Sequence, residues 1–263
     1  MKQLSLRGTS VEISGSGPPV VLLHGVGLNQ SIWAEQVKAL ESDFQVVTYD
    51  LLGHGRSAAA STNALLADWV DQLNNVVHDL ALEKFALVGF SFGGLIAQGY
   101  SAQHWRMIDR LVLMSTVYDR SETERASVES RLNLARREGP RAIISAALSR
   151  WFSAEFAKAH PETMDQYGAL LRGNDAASFL SAYECFATAD RALVGMLAAF
   201  DRPTLVMTGE LDTGSTPAMA RKLAGMIPGA EYSIILGGRH MMPVEMPKEV
   251  NSVLRRFLKK GSP

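Results

Sequence analysis

The chain has 263 residues, 47% of them hydrophobic, enough to bury a large core, and its 26 basic against 27 acidic residues leave a formal net charge of −1. That length suits one α/β domain carrying an insertion, and a balanced charge without long runs of one sign argues for a small-molecule partner and against nucleic acid or membrane. A lone cysteine, Cys185, excludes an internal disulfide and a cysteine-based metal site; MKQLSLRGTSVEIS has no signal-like apolar stretch, so the expected location is cytoplasmic, with homo-oligomerisation left open.

QLSL and VEIS, separated by RGTS, read as a short hairpin. PPVVLLHG is the first buried strand and runs into HGVGLNQSIW, where Gly25 and Gly27 permit a bend. FQVVTYD is the next strand and ends in the turn DLLGHGRS. From about Asn63 to Leu80 the spacing predicts a helix with Leu65, Leu66, Trp69, Leu73, Val76, Val77 and Leu80 inward and Asp71, Gln72, Asn75, His78 and Asp79 toward water. FALVGF is a strand, GFSFG a turn and GLIAQGYSAQ a helix; although Phe85 to Trp105 lacks Asp, Glu, Lys and Arg, its glycines, Ser91, Gln98 and His104 favour this reading over a membrane span. RLVLMS is a further strand.

The alternation stops between Val117 and Phe200, where only helical patterns occur, and resumes with the strands PTLVMTG and YSIILG and a closing helix from Pro247 that places Val250, Val253, Leu254, Phe257 and Leu258 inward. The expected fold is therefore α/β: a mostly parallel sheet with helices on both faces, a core of residues 1–116 and 201–263, and a helical cap inserted at 117–200. The cap should cover the edge where strand C-termini emerge, which is where parallel α/β sheets bind ligands.

Chemistry gathers at those strand ends. GFSFG places Ser91 on a strand-to-helix turn of the G-x-S-x-G type, with a buried strand before it and a helix after it. A serine hydroxyl becomes a nucleophile only when a base takes its proton and a carboxylate orients that base. His240, after YSIILG in GGRHMMP, is the candidate base, and Asp212, after PTLVMTG, is the candidate carboxylate, with Asp119 as fallback. Negative charge on an attacked carbonyl needs fixed donors, expected from the backbone N–H groups of Phe92 and Val26. Trp151, Phe152 and Tyr183 are the candidate substrate-binding side chains, and Arg150 or Arg239 would meet a carboxylated substrate. No phosphate-cradling G-x-x-x-x-G-K-[ST] occurs, and no metal or cofactor is expected.

On HGVG, YDLLGHGRS, GFSFGG, GELD and GGRHMMPVEMP the chain resembles the α/β-hydrolase fold family along essentially its whole length. The resemblance implies Ser91, Asp212 and His240 as a catalytic triad, Val26 and Phe92 as oxyanion donors, and a structural role for the turn from Asp50 to Ser57. In the cap, SRWFSAEFAKAHPET and YECFATAD are similar to the 3-oxoadipate enol-lactone hydrolases, which implies an ester or lactone hydrolase acting through an acyl-enzyme. Hydrolysis of a carbon–carbon bond in a ring-cleavage product, perhydrolysis, and a slow-turnover ligand receptor are the other activities the same resemblance offers.

Overall fold

A computed structural model of the protein describes residues 1–260. Strands β1 (Lys2–Leu6) and β2 (Thr9–Ser14) form the expected hairpin, joined by Arg7 and Gly8, both at positive φ as a tight two-residue connection requires. There follow β3 (Pro19–Leu23), α1 (Ala34–Leu40), β4 (Gln45–Tyr49), α2 (Leu66–Asp79), β5 (Phe85–Phe90), α3 (Phe92–His104) and β6 (Ile108–Met114). Six helices come next: α4 (Glu122–Glu138), α5 (Ile144–Trp151), α6 (Ala154–Ala159), α7 (Pro161–Arg172), α8 (Ala176–Thr188) and α9 (Asp190–Leu193). The chain then returns to the sheet with β7 (Thr204–Gly209), α10 (Pro217–Met226), β8 (Glu231–Ile235), α11 (Met242–Glu245) and α12 (Pro247–Leu258).

The eight strands form one sheet in the order β1-β2-β4-β3-β5-β6-β7-β8. The β1–β2 and β2–β4 pairs are antiparallel and the remaining pairs parallel. Successive side chains of each strand enter opposite cores. Val21, Leu23, Leu87 and Leu113 pack with α2 and α3, whereas Val20, Leu22, Val88 and Met114 pack with α12. Covering both faces in this way explains why the strands read as unbroken apolar runs. From β3 the chain moves one way to β4 and then returns to place β5 on the other side of β3, so a crevice opens beyond the C-terminal ends of β3 and β5. HGVG follows the first of these strands and Ser91 the second.

Two details of α2 differ from its sequence pattern. Leu65, expected inward, is 70% exposed because the helix begins one residue later, with the Leu65 N–H donating to Asp68. Gln72, expected in water, is buried: it accepts from the Leu52 N–H and donates to the Asp50 carbonyl and Thr9 Oγ1. A helical period cannot reveal that an irregular loop, with peptide groups of its own to satisfy, lies across the polar face. No helix among the described residues is long and apolar enough to cross a membrane; Phe85 to Trp105 divides into β5, a one-residue turn and α3.

Candidate active site

Ser91 is the single residue between β5 and α3, at φ 54° and ψ −114°. Such a conformation costs a non-glycine residue on the order of 1–3 kcal/mol and persists only where the surroundings enforce it. Here the Ser91 N–H donates to the Met114 carbonyl at 2.9 Å, and Thr116 Oγ1 donates to the Ser91 carbonyl at 2.9 Å, tying the turn to the end of β6. The flanking glycines are needed for space: a Cβ at Gly93 would run into the carbonyls of Leu23 and His24, and one at Gly89 into the Gly93 carbonyl.

His240 reaches Ser91 from the loop after β8. That loop lies against the end of β7, where the Leu211 N–H donates to the Gly238 carbonyl at 2.8 Å and a Cβ at Gly209 would strike the same carbonyl. His240 Nε2 lies 3.1 Å from Ser91 Oγ, and Nδ1 lies 2.7 Å from Asp212 Oδ2. Asp212 Oδ1 accepts from the N–H groups of Gly214 and Ser215, each at 2.9 Å, which leaves Oδ2 facing the imidazole. All three side chains are buried. A carboxylate so placed holds the proton on Nδ1 and directs the Nε2 lone pair at the hydroxyl, an arrangement able to take the serine proton during attack.

Beside Ser91 lies the turn from Gly25 to Leu28, so close that a Cβ at Gly25 would sit 3.1 Å from Ser91 Cβ. Its neighbouring donors are occupied: the Gly27 N–H by His54 Nε2 at 2.8 Å, the Leu28 N–H by the Gly25 carbonyl, and the Gly93 N–H by the His24 carbonyl. Among the described residues the N–H groups of Val26 and Phe92 have no such partner; that of Phe92, first residue of α3, has no acceptor within its helix. His24 and His54 are both fully buried and structural. Each donates through Nδ1 to a carbonyl (Gly25 and Leu52) and accepts through Nε2 from an amide (Leu51 and Gly27). Burial lowers His24 to about 4 and His54 to about 3, and that neutrality is what lets each ring accept.

Ser91, His240 and Asp212 stand at the base of a cavity of about 330 Å³ roofed by α4, α5 and α8. Val26, Ile144, Ala147, Leu171 and Phe179 supply apolar wall, interrupted by the guanidinium groups of Arg120, which pairs with Asp190, and of Arg131 and Arg150. Arg131 donates through Nε to Tyr183 Oη and through Nη1 to Ser127 Oγ; Arg150 donates through Nη1 to the Ala146 carbonyl of its own helix. Neither has a carboxylate partner among the described residues. Burial first, then the nearby Arg131 charge, pull Arg150 below the ordinary guanidinium value, against the smaller opposing effect of the Asp212 charge.

A sequence profile described as the alpha/beta hydrolase fold matches residues 18–247. The chain belongs to that family. Among relatives of this alpha/beta hydrolase, the (E)-2-((N-methylformamido)methylene)succinate hydrolase of Acinetobacter baylyi is 31% identical over 93% of this chain and 91% of its own length. The 3-oxoadipate enol-lactonase 2 of the same organism is 25% identical over 92% and 89%. Among solved structures, the enol-lactonase from Burkholderia xenovorans LB400 superposes with a TM-score of 0.90 at 28% identity, covering 98% of this chain and all of that one.

Within the hydrolase the expected residues divide. Ser91, Asp212 and His240 meet, Val26 joins them at the cavity, and Trp151 and Tyr183 line it. Phe152 does not: it is buried against Phe156 and Tyr167, at ring-centroid distances of 5.4 and 5.3 Å. Consecutive residues at a helix end point about 100° apart, so if Trp151 faces the cavity its neighbour faces elsewhere. Asp119 pairs with Lys222 and takes no part in the relay, and Arg239 lies on the far side of α5, outside the cavity. Arg131 is not singled out by the sequence, because SETERASVESRLNLARR reads only as a helix; packing alone shows which of its arginines turns inward.

Proposed function

We propose that this protein is a serine hydrolase that cleaves a carboxylic ester or enol-lactone of a small, carboxylate-bearing molecule through an acyl-enzyme. The observation that carries the reading is the buried Asp212–His240–Ser91 relay opening into a cavity that holds two guanidinium groups, Arg131 and Arg150, without carboxylate partners among the described residues. Ser91 Oγ attacks the carbonyl carbon as its proton passes to His240 Nε2, and Asp212 stabilises the imidazolium so formed. The N–H groups of Val26 and Phe92 receive the developing oxyanion. Collapse of the tetrahedral species expels the alcohol or enol oxygen, which takes the proton from His240, and leaves the acyl group on Ser91. Water, deprotonated by His240, then releases the acid and restores the serine hydroxyl.

The substrate class follows from charge and from relatives. Arg150 and Arg131 can neutralise a carboxylate remote from the scissile bond, and the relatives' names specify a substituted succinate and an oxoadipate lactone. The test is steady-state turnover of a carboxylated enol-lactone and of p-nitrophenyl acetate by wild type and Ser91→Ala. Multiple turnovers by wild type, reduced about a thousandfold or more in kcat by the substitution, are expected. A Ser91→Ala enzyme as active as wild type would refute the mechanism, and a single turnover with retained product would favour a receptor.

A further inference from the structure

Gly27 is gripped from two directions. Its N–H donates to His54, which belongs to the loop between β4 and α2, while its carbonyl accepts from Asn174 Nδ2 at 2.9 Å, out of the segment between α7 and α8. The same Asn174 nitrogen approaches the carbonyls of Leu170 (3.1 Å) and Leu171 (3.3 Å), so one side chain both closes the end of α7 and holds the turn below it. Contact here is tight: Gly27 has φ +76°, and a Cβ on it would lie 2.8 Å from Leu171 Cδ2 and 2.9 Å from Phe179 Cε2.

From the Gly27 carbonyl the connection continues across two peptide planes. That carbonyl shares a peptide with the Leu28 N–H, which donates to the Gly25 carbonyl at 3.2 Å; the Gly25 carbonyl in turn shares a peptide with the Val26 N–H. In a trans peptide the C=O and N–H point in opposite directions, so fixing one fixes the other. His24 Nδ1 also donates to the Gly25 carbonyl, at 2.8 Å, a second restraint on the same plane from the core side.

We propose that Asn174 is a positioning residue that couples the seating of the helical segment to the aim of the Val26 N–H, through the Gly27–Leu28 and Gly25–Val26 peptides. The proposal rests on the reading of Val26 as an oxyanion donor given above. With α7 and α8 seated, the amide of Asn174 pulls the Gly27 carbonyl outward and the Val26 N–H faces Ser91. Lifting that segment releases the turn, so a site open to solvent would be a poor catalyst. Asn174 touches no reacting atom, and its influence should therefore be on transition-state rather than ground-state binding.

The test compares wild type, Asn174→Ala and Asn174→Asp on p-nitrophenyl acetate, with Ser91→Ala in parallel. Asn174→Asp retains the shape and sets a carboxylate against the Gly27 carbonyl in place of the donor, so it breaks the hydrogen bond without emptying the site and serves if the alanine variant folds poorly. Both variants should lose about 10- to 100-fold in kcat, less than or equal to the cost of deleting an oxyanion donor outright, with KM within about twofold. Affinity for 1,1,1-trifluoro-3-phenylpropan-2-one, which forms a tetrahedral adduct on a nucleophilic serine, should fall in the same ratio as kcat/KM, while inhibition by adipate stays unchanged. Wild-type kcat and ketone affinity in both variants, or a change confined to KM and adipate binding, would overturn the coupling while an inactive Ser91→Ala left the hydrolase reading intact. If Ser91→Ala remained active, the hydrolase reading itself would fail and this one with it.

Discussion

Arg150 donates to its own helix at Ala146 and forms no ion pair among the described residues, although burial and the Arg131 charge both work against its ionisation. Charge-assisted hydrogen bonds to a carboxylate contribute about 1.5–3 kcal/mol, which converts to roughly a ten- to hundredfold change in affinity. Arg150→Ala is therefore expected to raise KM for a carboxylated enol-lactone by about that factor and to leave KM for neutral p-nitrophenyl acetate within about twofold. Equal effects on both substrates would assign Arg150 to packing alone. Cys185 offers no competing nucleophile: it is buried in the core, and desolvation pushes its thiol up to about 12.

The junction of β6 with the helices above it depends on a buried ionic group. Arg120, just beyond β6, and Arg125, in α4, both bind Asp190 at the start of α9, with Nη1 to Oδ1 distances of 2.8 and 3.2 Å. Arg120 also lies over the Phe186 ring and donates to the carbonyls of Phe186 and Ala187, which brings α8 into the same knot. Asp190 is fully buried, and removing its charge would leave two guanidinium groups uncompensated. Breaking such a buried arrangement typically costs about 3–5 kcal/mol. Asp190→Asn should lower unfolding free energy in urea by that order and speed amide exchange first in α4 and α9; a loss below about 1 kcal/mol would show that the knot contributes little. Nothing in VYDRSETER or ATADR marks these three side chains as partners, because 65 or more residues separate Asp190 from either arginine.

Acid should unfold the protein through the buried structural histidines His24 and His54. Each has a folded value below the ordinary 6.5, His24 at about 4 and His54 at about 3, chiefly from desolvation. The unfolded chain therefore binds more protons as pH falls, and stability that is complete above about pH 6.5 is lost progressively toward pH 4 and 3. Protonating His54 would also turn its Nε2 from acceptor to donor against the Gly27 N–H. Urea midpoints should fall between pH 7 and 4.5, and His54→Gln, which keeps an acceptor without the titration, should lose less over that interval; parallel losses would exclude His54 as the cause. Much of this architecture was legible beforehand. Unbroken apolar runs require a sheet buried on both faces, and a serine between glycines at a strand-to-helix junction requires a strained turn, so the α/β fold and the placement of Ser91, Asp212 and His240 at strand ends follow from local pattern. Tertiary structure alone decided that Gln72 is inside, that Phe152 turns away from the cavity, that Arg131 turns into it, and that Asn174 reaches Gly27. Periodicity reports which side of an element is apolar, whereas these four depend on which distant backbone or side chain packs against it, and that is settled only when the chain closes on itself.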